Sequence, residues 1–144
     1  MQPIKSDSCS FYFIRFKPGQ DVRHSLLTFC QENSITAGSI ISAVGSLKKV
    51  KIRKARSDSF YESSDPHEIL TLSGLVSAEG NHIHISLADQ NAIVSGGHLS
   101  EGNLVYTTLE IVIAVFPNIR FDREVDPETQ FKELVIRTGA IVCN

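Results

Sequence analysis

Gly80-Asn81-His82-Ile83-His84-Ile85-Ser86-Leu87, followed by Val94-Ser95-Gly96-Gly97-His98-Leu99, is the stretch on which the reading of this chain turns. Its first half alternates apolar and polar residues, the mark of a strand with one covered face. His82 and His84 then share one face, and Ile83, Ile85 and Leu87 share the other. Same-face neighbours on a strand lie about 6.6 Å apart, close enough to converge on one ion at Zn–N distances of about 2.0–2.1 Å. His98 comes fourteen positions after His84, across a short return strand, so a hairpin can carry it back beside the pair. The Gly96-Gly97 pair is expected to permit a bulge or a positive-φ turn that aims the imidazole. Three histidines from neighbouring strands, with a fourth position open, form the pattern of a catalytic zinc site. Zinc is the expected ion, although imidazole also suits Cu, Ni and Fe. The competing reading is a row of polar residues on a half-exposed sheet face.

Outward from this stretch the chain is dominated by strands. Strands are predicted at 11–17, 39–45, 47–55, 68–77, 82–88, 92–96 and 104–116, with a further one at 119–124. Asp21 can cap a helix whose apolar positions Val22, Leu26, Phe29 and Cys30 recur at helical spacing, with Asn33 as its stop. Residues 57–66 are polar and turn at Asp65-Pro66. Glu79-Gly80-Asn81 and Asp89-Gln90-Asn91 read as tight connections between strands. Asp126-Pro127-Glu128 carries the signals of a helix start and predicts a second helix over roughly 127–135. The expected fold is α/β in the α+β sense: a mostly antiparallel or mixed sheet of about six to seven strands with two packed helices. It forms a single domain over 1–144 with its core at about 10–134.

The 144 residues include 42% hydrophobic and 21% charged side chains, an ordinary globular balance, with a net charge of −2. A domain built mainly to grip nucleic acid is usually basic, so non-specific phosphate binding is not the default. Cys9, Cys30 and Cys143 fit neither a disulfide framework nor a paired metal motif and read as thiols in a reducing compartment. Residues 1–10 are polar, without the apolar stretch of a secretory leader, so a cytoplasmic location is expected and no membrane partner.

Glu110 sits inside the apolar run Leu109-Glu110-Ile111-Val112-Ile113. It is a candidate catalytic acid/base, a ligand, or a group that orients an imidazole; the alternative is a salt bridge to Arg15 or Arg53 or an exposed edge position. His24 and His67 read as solvated, and Asp89 as a turn residue. The run from Lys48 to Arg56 holds six cations in nine residues. Lys48, Lys49, Lys51 and Arg53 are candidate DNA contacts; the alternative is a sheet edge that lysine protects from strand addition.

Taken with Leu70-Thr71-Leu72-Ser73-Gly74, Ser86-Leu87-Ala88-Asp89, Gly102 and Thr107-Thr108-Leu109-Glu110-Ile111, the histidine series resembles the PPC domain, the plant and prokaryote conserved domain, from about Ser10 to Leu134. The resemblance implies an α/β fold with a mostly antiparallel sheet and a homotrimer. It also implies a metal, usually zinc, on histidines that correspond to His82, His84 and His98. Acetolactate decarboxylases share this fold group and use histidine-held zinc, a fold-level analogy for a metal-dependent enzyme of unknown substrate. Plant members carry a fused AT-hook that enters the DNA minor groove; this chain has no such element, and the DNA-binding label of stand-alone members reads as inherited. A cupin reading fails, because Ile85-Ser86-Leu87-Ala88 follows His84 where a cupin needs glutamate.

Overall fold

Residues 3–139 are described by the structure, a computed structural model; Cys143 lies outside them. The elements run β1 (Ser10–Phe16), α1 (Val22–Glu32), β2 (Gly38–Arg53), β3 (Phe60–Ser63), β4 (His67–Ser77), β5 (Gly80–Ala88), β6 (Val94–Leu99), β7 (Leu104–Val115), β8 (Ile119–Val125) and β9 (Lys132–Thr138). The main sheet orders its strands β1-β7-β2-β4-β5-β6, with β3 beside β2. Its pairings are antiparallel. β6 also returns to β2, setting Leu99 opposite Ile52 and His98 opposite Arg53. Strands β2, β4, β5 and β6 therefore close into a ring, and closure satisfies backbone groups that an open sheet would leave at its edges.

Alternation builds the core. Ile83, Ile85 and Leu87 turn inward from β5 and join Val50, Ile52, Leu72, Val76, Leu99, Leu109, Ile111 and Ile113. Helix α1 adds Val22, Leu26 and Cys30, all fully buried. Burial raises the Cys30 thiol to about 11, so it stays protonated and unreactive at neutral pH. Asp21 caps the helix as the sequence predicts. One carboxylate oxygen accepts from the His24 N–H at 2.9 Å, and the other accepts from the Gly102 N–H at 2.6 Å. The same side chain thus starts α1 and holds the β6–β7 turn. Buried Asn103 completes that turn: its amide donates to the carbonyls of Lys51 (2.7 Å) and Ser100 (2.8 Å) and accepts from the Lys51 N–H (2.9 Å).

Four expectations need correction. Among the described residues there is one helix, not two. Asp126 does accept from the Glu128 and Thr129 N–H groups, but the turn ends at Gln130, whose φ is 62°. Residues 132–138 pair in full register with β8, and this cross-strand ladder outweighs the local helix signal. The strands predicted at 39–45 and 47–55 merge into the single strand β2, which ends at Arg53, because Gly45 absorbs the bend through register shifts instead of a turn. The basic run is not at a sheet edge, since β2 is flanked by β3 on one side and β6 on the other. His67 is buried, not solvated. Its Nδ1–H donates to the Asp65 carbonyl at 2.8 Å, which leaves Nε2 to accept from the Tyr61 hydroxyl at 3.2 Å.

Asn103→Ala should strip partners from both backbone groups of Lys51 and from the Ser100 carbonyl. Leaving buried polar groups unsatisfied costs about 1–3 kcal/mol each, so a loss of about 3 kcal/mol is expected in urea unfolding. A loss under about 1 kcal/mol would show that water reaches the turn and replaces the side chain.

Candidate metal centre

The outer face of β5 carries His82 and His84, and the β5–β6 register sets His84 directly opposite His98. Ring centroids stand 5.2 Å apart for His82–His84, 5.2 Å for His82–His98 and 5.7 Å for His84–His98. One nitrogen from each ring lies within 4.8 Å of the other two. A tetrahedral ion with Zn–N bonds of about 2.0–2.1 Å spaces its nitrogens about 3.4 Å apart, so the three side chains would have to draw together around it.

The glycine pair works differently from the sequence expectation. Neither Gly96 nor Gly97 has a positive φ, and the β5–β6 register runs without a shift. A Cβ at Gly97 would meet the Arg53 carbonyl oxygen and Ile52 Cγ2 at 2.7 Å; one at Gly96 would meet the Ile85 carbonyl oxygen at 2.7 Å. The pair is there so that β6 can lie tightly between β5 and β2. That approach carries His98 to the other two imidazoles.

Burial, then the Arg53 guanidinium and the two other imidazoles, pushes His98 down to about 4. Burial, His84 and Arg123 lower His82, with Glu133 opposing. His98 is therefore neutral at pH 7, the form that ligates metal. Its Nδ1 is buried with no hydrogen-bond partner among the described residues. Three imidazoles gathered in this way, one of them held neutral, fit a divalent transition ion. His82, His84 and His98 are the residues that would hold it.

A cavity of about 280 Å³ opens beside the histidines, lined by Ser73, Gly74, Leu75, His82, His84, Arg123, Glu133 and Leu134. Arg123 and Glu133 come from the β8–β9 hairpin and were not singled out in the sequence. The available signal is Arg123 itself, a cation in the alternation Ile119, Phe121, Arg123. A larger cavity of about 790 Å³ lies elsewhere, between Tyr12, Asn33 and Arg120, away from the imidazoles.

The remaining predicted site residues are dispersed. Glu110 is exposed on β7, opposite Arg15 of β1 and Val44 of β2, and is not gathered with the histidines. No salt bridge to Arg15 or Arg53 forms among the described residues; Arg15 Nε donates to the Thr108 hydroxyl instead. In the basic run, Lys48 and Lys49 are exposed, Lys51 pairs with Glu62 at 3.3 Å and stacks over Phe60, and Arg53 stands opposite His98. His24 is exposed, and Asp89 holds its turn by accepting from the Asn91 and Ile93 N–H groups.

Residues 5–117 match the profile of the Plants and Prokaryotes Conserved (PCC) domain. A hypothetical protein from Salmonella enterica is 32% identical with a TM-score of 0.90, over 94% of this chain and 97% of that one. A metal-containing protein from Archaeoglobus fulgidus shares the fold at 24% identity and a TM-score of 0.76, over 94% and 99%. Two curated relatives from Synechococcus strains, both named bifunctional protein GlmU, are 42% and 40% identical over 139 residues. The chain covers 22% of their length.

The depressed histidines set a pH dependence for the metal-free protein. Between about pH 6.5 and about 4 the unfolded chain binds protons that native His98 refuses. Stability therefore rises with pH across this window and falls on acidification through it. Urea midpoints from pH 7.5 to 4 should show that fall, and His98→Gln should flatten it. A flat wild-type profile would mean that His98 titrates normally in the fold.

Proposed function

The chain is a member of the Plants and Prokaryotes Conserved domain family, and from there we propose a small metal-binding protein whose centre is His82, His84 and His98, with zinc as the ion. The observation that carries this reading is the convergence of three imidazoles from two strands, one with a buried unpartnered nitrogen. The metal-containing Archaeoglobus relative supports it. When bound, such an ion supplies Lewis acidity to an oxygen in its open position. The chain's own contribution is to hold neutral imidazoles in register, to keep Arg53 and Arg123 beside them, and to shape a cavity for a small molecule. A metal-dependent enzyme of unsettled substrate is the activity we infer. Glu110 fits a structural place on the β1–β7 face better than proton transfer, because no imidazole is gathered with it.

The proposal includes a homotrimer. Phe11, Phe13, Ile41 and Val44 are exposed on the β1–β7–β2 side of the sheet, and an apolar face of this kind suits a subunit contact. Free thiols at Cys9 and Cys30 suit a cytoplasmic location. Among the described residues no helix is long and apolar enough to cross a membrane.

A second reading is a DNA-binding or regulatory protein. It rests on exposed Lys48 and Lys49, and on structural relatives from Bacteroides thetaiotaomicron and Ralstonia eutropha described as candidate DNA-binding proteins, at 20% and 23% identity. It predicts salt-dependent DNA binding that Lys49→Glu weakens; no binding at low salt would remove it.

Protein purified without a nickel column should carry about one zinc per chain by elemental analysis, in particles of trimer mass by light scattering. His84→Ala should lower zinc affinity by tenfold or more, since losing a ligand costs at least what losing an outer hydrogen-bond partner of a ligand does. Substoichiometric metal that His84→Ala leaves unchanged would overturn the reading.

A further inference from the structure

Resting on the metal reading above, we propose that the cavity between β4, β5 and the β8–β9 hairpin binds a small carboxylate. The Arg123 guanidinium pairs with the carboxylate, and a second oxygen of the same molecule is directed toward the three histidines. The inner face of the hairpin carries the argument. Ile119, Phe121 and Arg123 alternate along one face of β8, and register sets Leu134 opposite Arg123. Ile119 and Phe121 are buried against Ala37, with Leu75 and Leu134 packed alongside. Leu75 in turn pairs with His82. The hairpin is thus seated next to the imidazoles, and Arg123 falls where its pattern calls for an apolar residue.

Arg123 is half-buried, and no carboxylate comes within 4.0 Å of it among the described residues. The acids beside it in sequence are taken by other cations. Asp122 bonds Arg120 at 2.7 Å and Arg137 at 2.8 Å, and Glu124 bonds Arg137. Arg53 and Arg23 also bear on His98 without a salt-bridge partner among the described residues. An arginine without an ion-pair partner in the lining of a concave site, joined by a dication beside it, favours an anionic ligand. The planar fork of arginine matches a carboxylate with two parallel hydrogen bonds, which a lysine could not offer.

The cavity of about 280 Å³ sets the size: it is small for a ligand pocket and fits a molecule of a few carbons, not a nucleotide. Glu133 on the rim accepts from the Thr129 hydroxyl at 3.1 Å and has no cation partner among the described residues. Its charge opposes added negative charge, most strongly for a polyanion, so the ligand's one carboxylate is placed at Arg123.

The probe is glycolate, titrated calorimetrically into the zinc-loaded full chain, with neutral glycolamide and inorganic phosphate as controls. Metal content is measured on every sample. Glycolate should bind, Arg123→Gln should weaken it by about tenfold or more with zinc content unchanged, and Arg123→Lys should recover only part. Glycolamide should bind the wild type no better than glycolate binds Arg123→Gln. Equal glycolate affinity in wild type and Arg123→Gln, or no glycolate binding to a zinc-replete chain, overturns the inference and leaves the metal centre standing. Phosphate binding in place of glycolate overturns the carboxylate class. A chain that takes up no zinc overturns both, and the metal assay tells that case from the others.

Discussion

The backbone of β6 is pressed so closely between β5 and β2 that neither Gly96 nor Gly97 has room for a methyl group. This contact closes the ring of β2, β4, β5 and β6, and it also sets His98 across from His84. Fold and site therefore depend on one packing constraint. A larger side chain at Gly97 would push β6 away from Arg53, opening the ring and withdrawing the third imidazole together.

The same closure creates the electrostatic character of the centre. It brings the Arg53 guanidinium beside a half-buried imidazole, and both effects oppose protonation of His98. A chain that is slightly acidic overall thus sets guanidinium charge directly against the histidine centre. The acids of β8 do not relieve it, because they are spent on the outer arginines of the hairpin. Those exposed ion pairs contribute little stability individually; their effect here is to leave the inner arginine free.

Much of this was legible in the residues. Strict alternation in His82–Leu87 placed two histidines on one face and the core on the other, and the Asp21 and Asn33 signals marked the ends of α1 correctly. What failed were features decided by distant contacts. The Asp126-Pro127-Glu128 signal produces a turn, yet seven residues of pairing with β8 override helix propensity from 132 onward. The polar stretch around β3 conceals a strand, because its pairing partner lies in the basic run of β2. Ring closure has no local signature, so the reason for two consecutive glycines could not be read from neighbours in sequence. Arg123 escaped notice for the same cause: a single cation among apolar neighbours acquires meaning only when its strand is placed over the histidines.

The β8–β9 hairpin forms its own two-stranded sheet and shares no ladder with the main one. It is attached through the Ala37–Ile119–Phe121 cluster and through bonds at Thr36, whose carbonyl accepts from the Phe121 N–H and whose hydroxyl donates to the Ile119 carbonyl. On the proposed reading, selectivity and ion capture are written in separate stretches of chain. An inherited change in the arm could retune what the protein recognises without disturbing the cage of imidazoles, and the two properties are free to diverge at different speeds among descendants.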